Sequence, residues 1–197
     1  MSRVFGLIGL IVMPLCAGCI TSLGRLDQGV HAPSAKESVF VLGVAPENYR
    51  VMIFGGNTDT GFFKQNWLPA TFYGGAEGGF IVGKAKAGAT LAITIVRVAE
   101  SDKAILGQDF IPCNGEKTLV FEAQPGKVTY LGSVKYGVNG GDLRIDYWND
   151  LDAARAYLSS AYPALSPKVE QGGYKLLPVM QPCTSTTTVY VPVYVPR

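Results

Sequence analysis

The stretch Gly78–Glu100, GGFIVGKAKAGATLAITIVRVAE, decides the fold class. It holds two apolar runs of strand length, separated by the small residues Ala87-Gly88-Ala89. β-Branched residues crowd both runs, and such side chains fit a pleated, half-buried surface better than a helix. In the second run Leu91, Ile93 and Ile95 alternate with Ala92, Thr94 and Val96. That two-residue period predicts a strand with one face on a core.

The same pattern extends in both directions. Ser38–Ala45 (SVFVLGVA) and Tyr49–Gly56 (YRVMIFGG) precede it. Ala104–Cys113, Lys117–Ala123 and Pro125–Val138 follow, the last with Pro125-Gly126 as a turn before a strand at Lys127–Tyr136. In Gly141–Trp148, Leu143, Ile145 and Tyr147 alternate with Arg144, Asp146 and Trp148. Short strands between glycine-rich turns predict a mainly β chain, an antiparallel β-sandwich. One segment breaks the period. In Asn149–Pro163, Leu151, Ala154, Leu158 and Ala161 fall on one helical stripe. Asn149 or Asp150 caps its start, Asp152 complements the dipole, and Pro163 stops it, predicting one short helix near residues 150–161.

The N-terminus has a different character. One basic residue, Arg3, precedes the apolar run Val4–Leu15, which is too short for a permanent span of about 20 residues. A charged start, a short apolar core and small residues after it describe a secretory signal. The stretch then reads Leu15-Cys16-Ala17-Gly18-Cys19. It resembles the lipobox of bacterial lipoproteins, with Ala17 and Gly18 before the modified cysteine and Cys16 where leucine is usual. The resemblance implies cleavage after Gly18 and lipidation of Cys19, so that acyl chains hold the protein to a membrane. Modification at Cys16 would instead place bulky Leu15 and rigid Pro14 in the cleavage pocket. In the same family an aspartate after the cysteine retains the protein in the inner membrane. Ile20-Thr21-Ser22 here implies the bacterial outer membrane, facing the periplasm.

The organisation expected is therefore a signal over 1–18, a flexible tether over 19–38, a sandwich over 39–183 and a C-terminal arm over 184–197. The tether carries Gly, Pro and Ser without periodicity. The arm contains TTTVYVPVYVPR, Thr186–Arg197, in which Val and Tyr or Pro alternate. Pro192 and Pro196 remove N–H donors along one edge only, so the arm suits an edge strand or a polyproline-like segment reaching a partner. The stretch FEAQPGKVTYLGSV, Phe121–Val134, followed by the helix, resembles small bacterial envelope lipoproteins over residues 39–162. That resemblance implies an immunoglobulin-like or transthyretin-like sandwich and carries over no catalytic residue.

With Cys16 discarded and Cys19 acylated, Cys113 and Cys183 remain. In an oxidising envelope compartment they most simply pair, closing a loop of about 70 residues and pinning the tail. Two free thiols or an intermolecular bridge are the alternatives. The charge is near balance, 17 basic against 15 acidic residues, without a basic cluster to track phosphates. Nucleic acid is therefore not an expected partner.

Catalytic signals are sparse. The single histidine, His31, falls in the expected tether, where a general base is poorly held. Phosphate-binding and nucleophile-elbow motifs are absent from the sequence. Asn57, Asp59 and Gly61, and also Asn139, Asp142 and Asp146, supply fragments of a calcium pattern but lack its closing glutamate. No metal or cofactor is expected. Glu77, Asp142 and Asp146 are carboxylates that a glycosidase pair would need, with no spacing that selects two of them. Six aromatics near glycine-rich turns, Tyr49, Trp67, Phe72, Tyr73, Tyr147 and Trp148, are candidates for a surface that stacks on sugars or anchors a partner. The alternative role for each is core filling. The expectation is a non-enzymatic, membrane-tethered module contacting an envelope protein or glycan; a small cell-wall hydrolase is the alternative.

Overall fold

The computed structural model describes residues 23–29, 32–66, 69–101 and 106–183, together with the backbone of 190–194. Among the described residues, thirteen strands and one α-helix follow in order: β1 Glu37–Ala45, β2 Arg50–Asn57, β3 Lys64–Gln65, β4 Phe72–Gly74, β5 Phe80–Lys86, β6 Thr90–Val98 and β7 Gln108–Phe110. Then come β8 Lys117–Glu122, β9 Val128–Asn139, β10 Asp142–Trp148, α1 Leu151–Ala161, β11 Val169–Gln171, β12 Lys175–Pro178 and β13 Tyr190–Tyr194. They form two sheets. Sheet I has the order β13-β10-β9-β1-β5, with β11 beside the first half of β9. Sheet II has the order β12-β8-β6-β2-β3, with β4 on β2 and β7 on β6.

Gly78–Glu100 forms both of its expected strands, but they do not pair with each other. β5 pairs with β1 in sheet I, and β6 pairs with β2 and β8 in sheet II. The turn between them is an arch from one sheet to the other. The Ala87 N–H donates to the Lys36 carbonyl on the sheet I side, and the Gly88 N–H to the Ala123 carbonyl on the sheet II side. Gly88 has φ +74°, a conformation that glycine adopts at little cost. The alternation in β6 also holds only as far as Ile93. Opposite Met52-Ile53 of β2 the register slips by one residue, so Ile95 pairs with Met52 and Ile93 with Ile53. The extra residue shifts the pleat by one, and Val96, rather than Ile95, joins Leu91 and Ile93 in the core.

Sheet II is antiparallel throughout. Sheet I departs from the all-antiparallel expectation: β1 and β9, β9 and β11, and β10 and β13 run parallel. Between β1 and β9 the chain passes through sheet II, back to sheet I at β5 and through sheet II again, a connection long enough for parallel strands.

The main core lies between the sheets. Phe40, Leu42 and Val44 of β1 meet Val51, Ile53, Leu91, Phe110 and Phe121 of sheet II. The other face of β1 puts Val39 and Val41 against Ala154 and Leu158 of α1. The molecule thus has a helix layer on one face of the sandwich. α1 spans the predicted residues, and its cap is Asp150, whose side chain accepts from the Ala153 N–H at 3.0 Å. In β9 a slip around Leu131-Gly132 lets one strand serve both layers. Val128 and Tyr130 face the helix, whereas Leu131, Val134 and Tyr136 face the inter-sheet core. Gly132 accommodates the bulge at φ +97°. The Tyr130 hydroxyl ties it to the helix cap, 2.6 Å from Ser133 Oγ and accepting from the Asp150 N–H at 3.1 Å.

Within the expected tether, the described residues 23–26 are packed on the domain; 19–22 and 30–31 lie outside the described residues. Leu23 pairs with Tyr73 of β4 and Arg25 with Gly83 of β5. Leu26 is buried in the helix-side cluster, where its carbonyl accepts from the Tyr162 hydroxyl. This segment therefore laces the β4 edge of sheet II to the β5 edge of sheet I. Backbone pairing needs no side-chain period, so nothing in residues 19–38 announces it. Within the C-terminal arm, Tyr190–Tyr194 pairs with β10 as the outer strand of sheet I; 184–189 and 195–197 lie outside the described residues. Among the described residues no helix is long and apolar enough to cross a membrane.

Candidate functional site

On the side away from the laced edge, the chain crosses from β11 to β12 through Gly172-Gly173-Tyr174, passing from sheet I to sheet II. Gly172 is required there by close approach. A Cβ at this position would stand 2.5 Å from Thr129 Cγ2, while its N–H donates to the Tyr130 carbonyl at 2.8 Å. Beside this crossing opens a cleft of about 570 Å³. β8 contributes Glu122, the turn and start of β9 contribute Gln124, Lys127 and Thr129, and β11 contributes Glu170 and Gln171. Thr58 and Thr90 add hydroxyls, and β12 adds Lys175 and Leu177.

Tyr174 also lines the cleft. Its ring stacks on Tyr147 of β10, centroids 5.9 Å apart and planes 28° from parallel. Tyr147 is itself part of the buried core, and burial pushes its phenol well above the ordinary range. The half-buried Tyr174 ring is thus held by a fixed neighbour rather than by rotamer preference alone. Nearby, Lys127 Nζ lies 3.0 and 2.9 Å from the two carboxylate oxygens of Glu170. Both side chains are more than half exposed, so this pair contributes only about 0–1 kcal/mol. Its larger effect is to place opposite charges on one wall. A site with hydroxyls, amides, both signs of charge and an aromatic face is suited to a polar ligand carrying apolar C–H faces.

A second cluster lies on sheet II. Arg97 grips Asp109 by two bonds, Nε to Oδ1 at 2.6 Å and Nη2 to Oδ2 at 2.8 Å. The Tyr73 hydroxyl accepts from Arg50 at 3.2 Å and from Arg97 at 3.4 Å, and both guanidinium groups lie about 6 Å from its ring centre. The hydrogen bonds to Asp109 hold Arg97 protonated beyond its usual range. These contacts join β2, β4, β6 and β7. They occupy Tyr73, so this cluster reads as a structural knot.

The six aromatics are not gathered into one surface. Phe72 and Tyr147 are core residues, 0% and 4% exposed, which corrects their place among surface candidates. Each sits on the inward phase of its strand, where ring burial outweighs nearby turns. Tyr49 is half-buried and stacks on buried Tyr136 at 6.4 Å. Tyr73 lies between the arginines, Trp148 is half-buried at the end of β10, and Trp67 lies outside the described residues. Cys19 and His31 lie outside them as well. Cys113 and Cys183 are placed as a disulfide, Cα atoms 4.9 Å apart. Beside it, the Phe63 N–H donates to the Pro178 carbonyl and the Phe63 carbonyl accepts from the Met180 N–H, while Phe63 and Val179 cluster with Ala92 and Val120 on sheet II.

The carboxylates separate. Asp142 and Asp146 are on β10, with Asp146 3.2 Å from Arg144, whereas Glu77 is 3.2 Å from Arg25 beside β5, with β9 and β1 between. Among the described residues no group of three or more His, Cys, Asp or Glu gathers as a metal site. Tyr174 was missed because a lone tyrosine after two glycines has no strand partner legible in sequence. Its Gly-Gly-Tyr context was the available signal. No protein family, curated protein or solved structure matches this chain.

Proposed function

We propose that the chain is a binding module of the bacterial cell envelope, anchored through acyl chains on Cys19, whose cleft holds a glycan of that compartment. The lipobox-like Leu15–Cys19 supports the anchor. The observation that carries the binding is Tyr174, stacked on Tyr147 and lining a cleft rich in Thr, Gln, Glu and Lys. Sugars present hydroxyls to such polar groups and C–H faces to such a ring. A protein segment is the other partner class the anchor allows, and the cleft's hydroxyl and amide lining favours the glycan.

Calorimetric titration of the full chain with soluble fragments of cell-wall glycan tests this. Saturable binding is expected, and Tyr174→Ala should weaken it roughly tenfold, the worth of one aromatic contact of about 1–1.5 kcal/mol. Absence of binding, or equal binding by the variant at unchanged stability, contradicts the reading. Glu122 and Glu170 both line the cleft and keep one alternative in play, a hydrolase using a carboxylate pair. The same titration, followed by an assay for new reducing ends, should show none; their steady release would favour the hydrolase.

A further inference from the structure

We propose that the edge of the sandwich formed by β4 and β5 lies against the lipid surface, so that the cleft beside β11 and β12 faces away from it. The inference rests on acylation of Cys19 but not on the identity of the cleft's ligand. Only Ile20, Thr21 and Ser22 separate Cys19 from Leu23. Four Cα–Cα steps reach at most about 14 Å even when fully extended. Leu23 is already part of the fold, its N–H donating to the Tyr73 carbonyl at 2.7 Å and its carbonyl accepting from Tyr73 at 2.9 Å.

The next residues continue the attachment. The Lys84 N–H donates to the Gly24 carbonyl, and the Leu26 N–H to the Val82 carbonyl. The Arg25 guanidinium donates to the Gly75 carbonyl. The described chain nearest the anchor therefore joins the domain at its β4–β5 edge. Leu23 itself is 41% exposed there, an apolar side chain at the point where the chain leaves the lipid. On the adjoining strand Lys84 pairs with Glu37 at 3.0 Å, and exposed Lys86 supplies a charge that complements anionic headgroups.

The cleft runs under sheet II from the β2–β3 loop, with Thr58 and Gly61, to its β11–β12 wall, which is at the far side. In sheet II, β8, β6 and β2 separate β12 from β4, and in sheet I, β9 and β1 separate β11 from β5. At about 4.8 Å per strand, the far edge of sheet II stands roughly 19 Å beyond β4. A long tether would let the domain tumble and present any face. A connection this short, ending in paired backbone, holds one edge down and presents the opposite one.

The test uses the acylated full chain bound to vesicles of phosphatidylethanolamine and phosphatidylglycerol containing a headgroup-spin-labelled lipid. A fluorinated phenylalanine replaces Lys84 in one preparation and Lys175 in another, and paramagnetic relaxation of the fluorine is measured. Relaxation several-fold faster at position 84 than at 175 is expected. Inserting about 20 Gly/Ser residues after Ser22 should abolish the difference by freeing the domain. Equal or reversed relaxation on vesicle-bound protein, or a difference that survives the insertion, overturns the orientation and leaves the anchor standing. Protein that does not stay with the vesicles overturns the anchor, and the orientation with it.

Discussion

Phe40→Ala should lower the unfolding free energy by about 3–5 kcal/mol, the range for deleting a large aromatic from a packed core. Phe40 is 1% exposed and meets Phe72 edge-on at 6.0 Å and Phe121 at 5.4 Å. It thus joins β1 of sheet I to two strands of sheet II. Room for its ring depends on the absence of a side chain at Gly83, where a Cβ would stand 2.2 Å from Phe40 Cζ. Gly83→Ala should therefore cost about 1–3 kcal/mol through overpacking. In the Phe40→Ala background the same change should cost far less, because the clashing ring has gone. A double-mutant cycle in urea reads this coupling directly. Additive effects would mean that the ring and Gly83 do not touch.

The second large effect is expected from the disulfide. Joining Cys113 to Cys183 closes a loop of 70 residues, for which the chain-entropy estimate is about 4 kcal/mol. Reduction, or the pair Cys113→Ala and Cys183→Ser, should lower stability by about 2–4 kcal/mol. The loss should be greatest locally. The Gly115 N–H donates to the Val179 carbonyl, the Val179 N–H to Glu116, and the Asn114 N–H to Gln181, all close to the bridge. Amide exchange in Val179–Gln181 should accelerate before that of β6 or β9. A loss below about 0.5 kcal/mol would show that the bond does not constrain the native chain.

The residues made some of this legible and hid the rest for identifiable reasons. α1 was legible because its signals are local: the Leu151, Ala154, Leu158 stripe, the Asp150 cap and the Pro163 stop lie within fifteen residues. β10 was legible because its alternation is unbroken. β6 was half legible, since one inserted residue near Thr94 reverses the phase and a period count cannot see it. That β5 and β6 belong to different sheets depends on partners at Lys36 and Ala123, which no local window contains. The docking of Leu23–Leu26 is made of backbone bonds and one buried leucine, so composition suggested a tether. The cleft was least legible. Lys127 and Glu170 are 43 residues apart, and Tyr147 stands on β10 but Tyr174 in the β11–β12 crossing, so only the fold brings its walls together.

The claim that organises the functional reading is that Cys19 is an acylated N-terminus. Intact mass of the protein extracted with detergent from its native membrane, before and after reduction, tests it most directly. The account predicts a species lacking residues 1–18, carrying two or three acyl chains on Cys19, and gaining two hydrogens on reduction as Cys113 and Cys183 separate. A full-length mass, or a processed chain without lipid, would contradict it.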